Sequence, residues 1–455
     1  MPESRRTTPA GRPDVVVIGG GCAGLAAATA LAGRGARVLV LEARPGLGGR
    51  ASTYTDPATG ERVDNGQHIL MGCYRETLAF LDRVGARDGL RAESGLAVPQ
   101  IDRAGLQVDF RLPPIAAPFH LLAGVLAWDA LTWRERLSVL RPGLAGELRR
   151  AAVHGPDPST AFETVGAWLA RHGQAARLTE LLWEPLALAA HNQPIDHAAA
   201  APFITVLAEM FGPDPEAATL LLPPRPRHAL FADPARAHIE AHGGEVRTGA
   251  PARVVIDAGG AVAGVRVRDE VIAAPAVVAA VGWFALPALF EAAPPAGMQP
   301  VLEAAAATPG SPIVTVNLWL DRPVTDGPIV GLPGRTFQWI FDKAALFGGS
   351  AAHLSLVSSG AAAVVDQSKA ALVETALSEV RGALPAAARA RLVRATAVRE
   401  RKSTFSLAPG LPGRPGVETV VPGLYLASDW IDTGLPATIE SAVAAGHRAA
   451  LALSK

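Results

Sequence analysis

A short apolar run followed by regularly spaced glycines constrains this chain more than any other feature of its 455 residues. Val15–Ile18 is apolar throughout and short enough for a buried strand. The pattern Gly-x-Gly-x-x-Gly follows, formed by Gly19, Gly21 and Gly24. An alanine-rich stretch typical of a helix comes next, and a second apolar run ends at Glu42. Residues 14–42 therefore predict a βαβ unit with a glycine turn between its first strand and its helix.

The chemistry of this turn predicts a dinucleotide site. Gly19 permits the tight turn, Gly21 lets the backbone approach a pyrophosphate, and Gly24 lets helix and strand pack closely. The first N–H groups of the helix, among them that of Ala23, offer partial positive charge to the phosphates. The carboxylate of Glu42 can accept hydrogen bonds from both ribose hydroxyls, which disfavours a 2′-phosphate. This unit alone does not distinguish NAD from FAD.

A second glycine-rich loop directly after the βαβ unit narrows the choice. It holds Arg44, Gly48, Gly49 and Arg50, and it can close over the pyrophosphate from the far side. A Gly-Gly-Arg loop in this place resembles the superfamily of flavin-containing amine oxidases and carotenoid desaturases. The resemblance implies FAD as cofactor. It also implies an α/β fold in which a Rossmann-type FAD-binding domain carries a substrate domain of mixed sheet and helices, as in amine oxidases and phytoene desaturases.

Later segments support the same resemblance. Gly423–Asp429 resembles the superfamily's late strand, whose terminal acid, here Asp429, holds the ribityl or phosphate part of the flavin. A helix is predicted next, and the resemblance implies that its first N–H groups, at Thr438 and Ile439, point at the flavin O2 and stabilise reduced flavin. Val254 resembles the position whose backbone pairs with the adenine, with an ordinary core valine as the alternative.

Three segments narrow the resemblance to one family. They are residues 63–75, 182–194 and 428–440. Together they resemble the hydroxysqualene dehydroxylases, the squalene-associated flavoproteins of bacterial hopanoid synthesis, and the likeness runs over residues 14–449. His191 departs from that family's usual small or apolar residue. The resemblance implies an FAD-dependent oxidoreductase that acts on an isoprenoid lipid and reduces hydroxysqualene to squalene.

The implied reaction needs a hydride and a proton. The substrate hydroxyl is allylic, so its protonation and departure as water would leave a delocalised cation that hydride from reduced FAD can quench. Gly66, Gln67 and His68 align with the superfamily loop beside the flavin ring. A histidine titrates near neutrality, so His68 is the predicted proton donor, with a purely hydrogen-bonding role as the alternative. Asp64 and Tyr54 are weaker candidates.

The composition and the start of the sequence limit which partners and which location are expected. Lys and Arg together number 42, as do Asp and Glu, and this balance argues against binding to nucleic acid. Two cysteines cannot form a four-cysteine metal site, and no metal is predicted. No secretory signal is recognised at the start of the sequence, so a cytoplasmic location is expected.

One apolar stretch, residues 112–128, is typical of a segment that lies on a membrane surface. Trp133, Arg134 and Arg136 follow it, as interfacial anchors would. No run of 18 apolar residues is present, so the prediction is a peripheral position on the inner face of the cytoplasmic membrane rather than a span. A core helix that lines an apolar substrate tunnel is the alternative, and both can hold.

The order of the segments predicts a chain that leaves its cofactor domain and re-enters it. FAD-binding segments are predicted at residues 14–75, 241–290 and 401–455. A mainly helical substrate or membrane-facing region is expected over 76–240, and substrate-domain strands and a helix over 291–400. No second Gly-x-Gly-x-x-Gly unit is found for NADPH. Reduced nicotinamide is therefore expected as an external electron source, either free or through a partner reductase, and upstream squalene-pathway enzymes are further candidate partners.

Three other interpretations stay open from the sequence. A carotenoid-type desaturase would share the FAD site and the tunnel but would move hydride from substrate to flavin. The stretches 64–68 and 432–438 favour the dehydroxylase. A flavin amine oxidase usually needs an aromatic cage, and this chain has only three tyrosines. A flavin-bound lipid carrier without turnover is the non-catalytic alternative.

Overall fold

The computed structural model describes residues 11–51, 53–56, 60, 62–64, 67–92, 96–113, 115, 119–223, 225–348 and 352–454. Its strands are β1 (Val15–Ile18), β2 (Val38–Glu42), β3 (Thr53–Thr55), β4 (Arg62–Asp64), β5 (Leu70–Met71), β6 (Arg91–Ala92), β7 (Ala97–Val98), β8 (Phe110–Arg111), β9 (Leu220–Leu222), β10 (Glu245–Thr248), β11 (Ala252–Ile256), β12 (Val262–Val267), β13 (Glu270–Ala273), β14 (Val277–Ala279), β15 (Gly310–Leu320), β16 (Ile329–Gly331), β17 (Trp339–Asp342), β18 (Ala352–Ser358), β19 (Leu392–Phe405) and β20 (Leu424–Leu426). Its α-helices are α1 (Cys22–Ala32), α2 (Arg75–Arg83), α3 (Phe119–Ala127), α4 (Trp133–Leu137), α5 (Pro142–His154), α6 (Val165–Arg171), α7 (Ala176–Leu178), α8 (Glu184–His191), α9 (Ala200–Met210), α10 (Asp233–Ala241), α11 (Gln299–Ala307), α12 (Lys343–Phe347), α13 (Lys369–Ala383) and α14 (Ile439–Ala452).

Five parallel strands form the sheet that carries the glycine turn, in the order β10-β2-β1-β14-β20. Every residue of β1 and β2 is buried, which explains why these strands read as continuous apolar runs rather than alternating ones. Helix α1 is buried along its whole length. Helix α14 packs so closely on α1 that a Cβ at Gly446 would lie 2.2 Å from the carbonyl oxygen of Ala23.

The strands of this sheet come from three distant parts of the chain. β1 and β2 open it, β10 and β14 belong to its middle, and β20 lies near its end. The carboxyl ends of parallel strands meet at one edge of a sheet. The turn after β1, Glu42 at the end of β2 and the segment after β20 therefore converge, although more than 400 residues separate the first from the last.

A second five-stranded sheet is antiparallel, with the order β16-β17-β18-β15-β19. On one face, Val316 and Leu356 share an apolar core with Leu372 and Val380 of α13. The strand β17 continues directly into α12, whose first residue is Lys343. This connection brings a charged side chain to the boundary between the sheet and the loop near residue 67.

Helices α3 to α9 surround a third apolar core. It includes three residues of the apolar stretch predicted to meet a membrane, because Leu121, Val125 and Trp128 are 7%, 0% and 3% exposed. Part of the stretch therefore lies in the core, whereas Ile115 and Phe119 are 46% and 58% exposed, and residues 114 and 116–118 lie outside the described ranges. Its contact with a membrane or with a substrate tunnel stays a prediction. Among the described residues, no helix is long and apolar enough to cross a bilayer.

Several strands were missed by the sequence interpretation, above all the 14-residue strand β19. It lies at the edge of the second sheet and carries many charged side chains, and few of its residues are buried. Its sequence therefore lacks the alternation of apolar and polar residues that indicates a strand. The pairing with β15 holds it in place instead. The helix predicted within residues 291–400 from the stretch 368–391 corresponds to α13, which is shorter because it ends at Ala383 and a 3₁₀ turn follows at Pro385.

Candidate active site

The glycine turn has the geometry that a bound pyrophosphate requires. Gly19 has φ of +111°, and a Cβ at Gly24 would lie 1.9 Å from the Gly19 carbonyl oxygen, so the fold itself demands both glycines. Gly21 differs, because its φ is −81° and a Cβ there would meet nothing closer than the Gly49 Cα at 3.8 Å. The space beside Gly21 is open, as expected where a ligand approaches the backbone. The backbone of Ala23 lies in the first turn of α1, which no side chain caps.

The second glycine-rich loop lies directly against the first. The N–H of Gly48 donates to the Gly20 carbonyl at 2.8 Å, and Gly48 and Gly49 both have positive φ, of 106° and 60°. Arg44 reaches back to the Gly49 carbonyl at 3.4 Å. The two loops therefore lie side by side at the start of α1, and their closure over a pyrophosphate stays a prediction.

Glu42 ties these loops together. One carboxylate oxygen accepts from the N–H of Gly20 at 2.7 Å, and the other accepts from the N–H of Arg44 at 2.8 Å. The side chain is 7% exposed. A carboxylate offers about four acceptor positions, so Glu42 can still accept from ribose hydroxyls while it orders both loops.

Arg50 and Asp429 join the second loop to the segment after β20. Their side chains form an ion pair of 2.5 Å, and Arg50 also donates to the Ser403 carbonyl at 3.0 Å. The charge of Asp429 raises the pKa of Arg50 against the opposing effect of burial. Two predicted cofactor-binding residues that are 379 positions apart are thus in direct contact.

The start of α14 lies beside this ion pair. Thr438 caps the helix by accepting from the N–H of Ser441 at 3.1 Å, and the Ser441 hydroxyl donates to the Asp429 carbonyl at 3.0 Å. Glu440 points the other way and accepts from the backbone N–H groups of Glu76 and Thr77 at 2.8 Å. These bonds fix the direction of α14, which begins at Ile439, relative to the Asp429 segment.

These observed residues fit the FAD that the sequence implies. The uncapped first turn of α1 and the open space at Gly21 suit the pyrophosphate. The buried Glu42 at the adjacent strand end suits the adenosine ribose, and the polar segment at Asp429 suits the ribityl chain. The adenine position at Val254 is less clear-cut, because its carbonyl already accepts from the N–H of Glu291 at 3.2 Å and its side chain is in the core. Its role stays a prediction.

A buried charged cluster lies next to the loop predicted to face the flavin ring. Asp64 and Arg227 are each 1% exposed and Lys343 is 6% exposed. Arg227 Nε lies 3.8 Å and Lys343 Nζ 4.0 Å from Asp64 Oδ2, and Lys343 donates to Gln67 Oε1 at 2.5 Å. Arg227 also donates to Nδ1 of His68. Burial of charged groups is costly unless they pair with one another or with a ligand.

His68 is neutral in this setting. Arginine has no acceptor, so Nδ1 must accept from Arg227, and the single ring proton sits on Nε2. Burial, together with the charges of Arg227 and Lys343, holds the pKa of His68 well below its usual value. The imidazolium that a proton donor would need is therefore disfavoured, and the acid role predicted for His68 gains no support from this geometry.

Three other residues were named in the sequence analysis. Gly66 lies outside the described residues. The hydroxyl of Thr53 donates to Asp64, so the side chain of the next residue, Tyr54, points to the opposite face of β3. Burial raises the pKa of Tyr54 there. His191 is fully buried against Phe203, and burial lowers its pKa to about 4, as expected for a neutral core histidine.

Arg227 and Lys343 were missed from the sequence. A usable signal existed for each. Lys343 is one of only four lysines and follows the apolar strand β17. Arg227 ends a proline-arginine run and immediately precedes a π-helical turn, His228–Ala232, a feature frequent at functional sites. Both depend on tertiary contacts that no local pattern specifies.

Comparison with known proteins identifies the family of this chain. The model of the flavin containing amine oxidoreductases matches residues 22–454. A hydroxysqualene dehydroxylase of Rhodopseudomonas palustris is 30% identical over 444 residues, 96% of this chain and 97% of its own. One from Sinorhizobium fredii is 29% identical and covers 97% and 99%. An oxidoreductase structure from Methanosarcina mazei matches 97% of this chain and 100% of its own with a TM-score of 0.74, at 18% identity, which is a likeness of fold alone.

The predicted fold class and the prediction of an FAD-dependent oxidoreductase are confirmed. The chain belongs to the flavin-containing amine oxidoreductase family, in the group that includes the hydroxysqualene dehydroxylases.

Proposed function

We propose that this protein reduces hydroxysqualene to squalene in the biosynthesis of squalene and hopanoids. The observation that carries the proposal is the likeness to two hydroxysqualene dehydroxylases along nearly the whole chain. Bound FAD would supply hydride once reduced. The substrate would lose its allylic hydroxyl as water and gain that hydride at carbon.

The chain's own residues would hold the cofactor and exclude water. Glu42, Arg50 and Asp429 bind and orient it, with the N–H groups at the start of α14 toward the flavin end. Both thiols are buried enough to raise their pKa, to about 11 for Cys22 and about 12 for Cys73, so neither is a reactive thiolate. FAD is accordingly proposed as non-covalent. Its reduction is assigned to free reduced nicotinamide or to a partner reductase.

The hydrocarbon of the substrate is assigned to the helical region. Its core is built from tryptophan, phenylalanine and leucine, which suits a C30 chain without polar groups. The charged cluster offers polar groups to a single hydroxyl, and the apolar side chains of the helical region suit the long isoprenoid chain.

Peripheral membrane contact is proposed through α4 rather than through the buried α3. Trp133 and Leu137 are 67% and 51% exposed. Arg136 lies over the Trp133 ring at 4.8 Å and donates to the Leu131 carbonyl, which orients this ring outward beside a cation. Such a mixture suits an anionic lipid surface.

Sedimentation with anionic vesicles tests the membrane contact. Trp133→Asp combined with Leu137→Asp should release the protein from vesicles that retain the wild type. The matched control places aspartate at two exposed valines elsewhere, Val393 and Val420, and should stay bound. Wild-type protein that never sediments with the vesicles overturns the membrane proposal without touching the reaction.

A substrate panel tests the reaction. Oxidised and reduced holoprotein are each incubated anaerobically with hydroxysqualene, phytoene or a primary amine, and flavin absorbance and extracted products are followed. Reoxidation of reduced flavin with formation of squalene supports the proposal. Reduction of oxidised flavin by phytoene replaces it with a desaturase, and reduction by the amine replaces it with an amine oxidase. An unchanged flavin with every compound points to a lipid carrier.

A further inference from the structure

Lys343 places a buried cation beside the segment predicted to face the flavin ring. Its amino group donates to Gln67 Oε1 at 2.5 Å and lies 4.7 Å from the centre of the Phe347 ring. The neighbouring acid, Asp342, caps α12, and its Oδ1 accepts from two backbone N–H groups in the first turn of that helix, at 2.9 and 3.0 Å. The charge of Lys343 is therefore directed toward the cluster.

Asp64 faces Lys343 across a short gap. Its Oδ1 accepts from the Thr53 hydroxyl at 2.6 Å. Its Oδ2 lies 4.0 Å from Lys343 Nζ, beyond hydrogen-bond distance, and accepts no hydrogen bond from any residue in the described ranges. A carboxylate oxygen this deeply buried is stabilised by a hydrogen-bond donor. Asp64 Oδ2 and Lys343 Nζ therefore offer one acceptor and one donor on either side of the gap between them.

We propose that Lys343 and Asp64 together bind the substrate hydroxyl, and that Lys343 donates the proton with which this hydroxyl leaves. Two hydrogen bonds of about 2.8 Å can span the 4.0 Å separation, so one hydroxyl can accept from Nζ and donate to Oδ2 at the same time. This assignment rests on the proposed function and specifies the acid that the proposal lacks.

The step balances in atoms and electrons. The C–O bond breaks while its oxygen takes a proton from Lys343 and departs as water. Bound reduced FAD would supply the hydride of the new C–H bond, so the substrate would gain two electrons and the flavin would lose two. Lys343, left as a neutral amine, regains a proton from water before the next turnover. The Asp64 carboxylate favours positive charge developing on the substrate.

Of the groups in the cluster, Lys343 suits the role of acid best. The guanidinium of Arg227 holds its proton too firmly, and His68 is already neutral. Burial lowers the pKa of Lys343 to about 8, which makes it a stronger acid than an ordinary lysine while leaving it protonated at neutral pH. His353 also feels the charge of Lys343, and burial lowers its pKa to about 3, so it has lost its proton long before Lys343 titrates.

Ligand binding to oxidised holoprotein gives a test that needs no turnover. Hydroxysqualene and squalene are titrated against wild type and Lys343→Met, with tryptophan fluorescence as the signal. Wild type should prefer hydroxysqualene by on the order of 10- to 100-fold, as expected for charge-assisted hydrogen bonds to one hydroxyl. Lys343→Met should lose most of this preference and keep its affinity for squalene. Lys369→Met, which removes an exposed lysine on α13, is the matched control and should keep the preference.

Anaerobic single turnover tests the proton transfer. Squalene formation by reduced wild type should slow as pH rises through about 8, since Lys343 then loses its proton. Lys343→Met should be about 10²–10⁴-fold slower and lack this alkaline decline. His68→Gln should keep the decline, whereas its disappearance there would transfer the acid role to His68.

Different results would overturn the proposed function and the role of Lys343. Wild type that forms no squalene at any pH removes the proposed function and the Lys343 assignment with it. Wild type that forms squalene while Lys343→Met retains both its rate and its preference for hydroxysqualene removes Lys343 alone. A Lys343→Met protein that loses the preference but keeps wild-type turnover and the alkaline decline limits Lys343 to binding and overturns its role as acid.

Discussion

Replacement of Gly21 by alanine should separate cofactor binding from folding. The φ of −81° suits any residue, and the new methyl group would meet only the Gly49 Cα, at an ordinary contact distance of 3.8 Å. Two small effects then oppose each other in the free energy of unfolding of the apoprotein. Alanine is a poorer N-cap than glycine by about 0.5–1 kcal/mol, whereas the stiffer unfolded chain returns about 0.4–1 kcal/mol. The apoprotein should therefore stay within about 1 kcal/mol of the wild type.

The affinity for FAD should respond very differently. A methyl group at position 21 would occupy the space through which the backbone approaches a pyrophosphate. Overpacking of a close contact costs about 1–3 kcal/mol, which corresponds to a roughly 5- to 150-fold increase in Kd. Titration of the apoprotein with FAD, followed by quenching of flavin fluorescence, measures this change. Urea unfolding of the same apoprotein measures the stability.

Gly24→Ala is the matched control within the same turn. Its Cβ would lie 1.9 Å from the Gly19 carbonyl oxygen, so α1 would have to move away from β1. The apoprotein itself should then lose about 1–3 kcal/mol or more of stability. A Gly21→Ala protein that binds FAD as tightly as the wild type would refute the argument. So would a Gly21→Ala apoprotein that is destabilised as much as Gly24→Ala.

Three further changes test other parts of the site. Glu42→Ala removes the acceptor of two backbone N–H groups and should weaken FAD binding by about 1–3 kcal/mol, measured by the same titration; unchanged affinity would contradict the ribose assignment. Asp429→Asn leaves Arg50 without its anionic partner and should destabilise the holoprotein to urea by about 1–3 kcal/mol, whereas an unchanged midpoint would count against this contact. Lys343 has a pKa of about 8 in the folded protein and 10.5 in the unfolded chain, so between these pH values the unfolded chain binds more protons. The free energy of unfolding of the wild type should therefore rise with pH in that window, by roughly 3 kcal/mol relative to Lys343→Met. Parallel stability curves for the two proteins would show that this pKa is not lowered.

The cofactor half of the fold was predictable because its signals are local. Val15–Ile18, the glycine turn and Glu42 lie within one βαβ unit, where strand burial, turn chemistry and helix packing all act on neighbouring residues. The late segment ending at Asp429 could be placed only through the family resemblance. Its contact with Arg50 depends on the return of the chain to the same sheet edge, which no local pattern specifies.

The catalytic half was less predictable for the same physical reason. His68 was chosen for its ordinary titration range, but a fold that surrounds it with Arg227 and Lys343 changes that range. Those two cations come from elements 159 or more residues further along the chain. The apolar stretch around Val125 likewise suits either a membrane or a protein core, and only the packing of the other helices decides between them.

One measurement tests the central claim most directly. Protein with fully reduced FAD is mixed anaerobically with excess hydroxysqualene in the absence of any other reductant, and squalene is quantified against flavin reoxidised. The account predicts one squalene formed for each flavin reoxidised, because the flavin supplies the only hydride. Flavin that stays reduced, or that reoxidises without squalene, would contradict it.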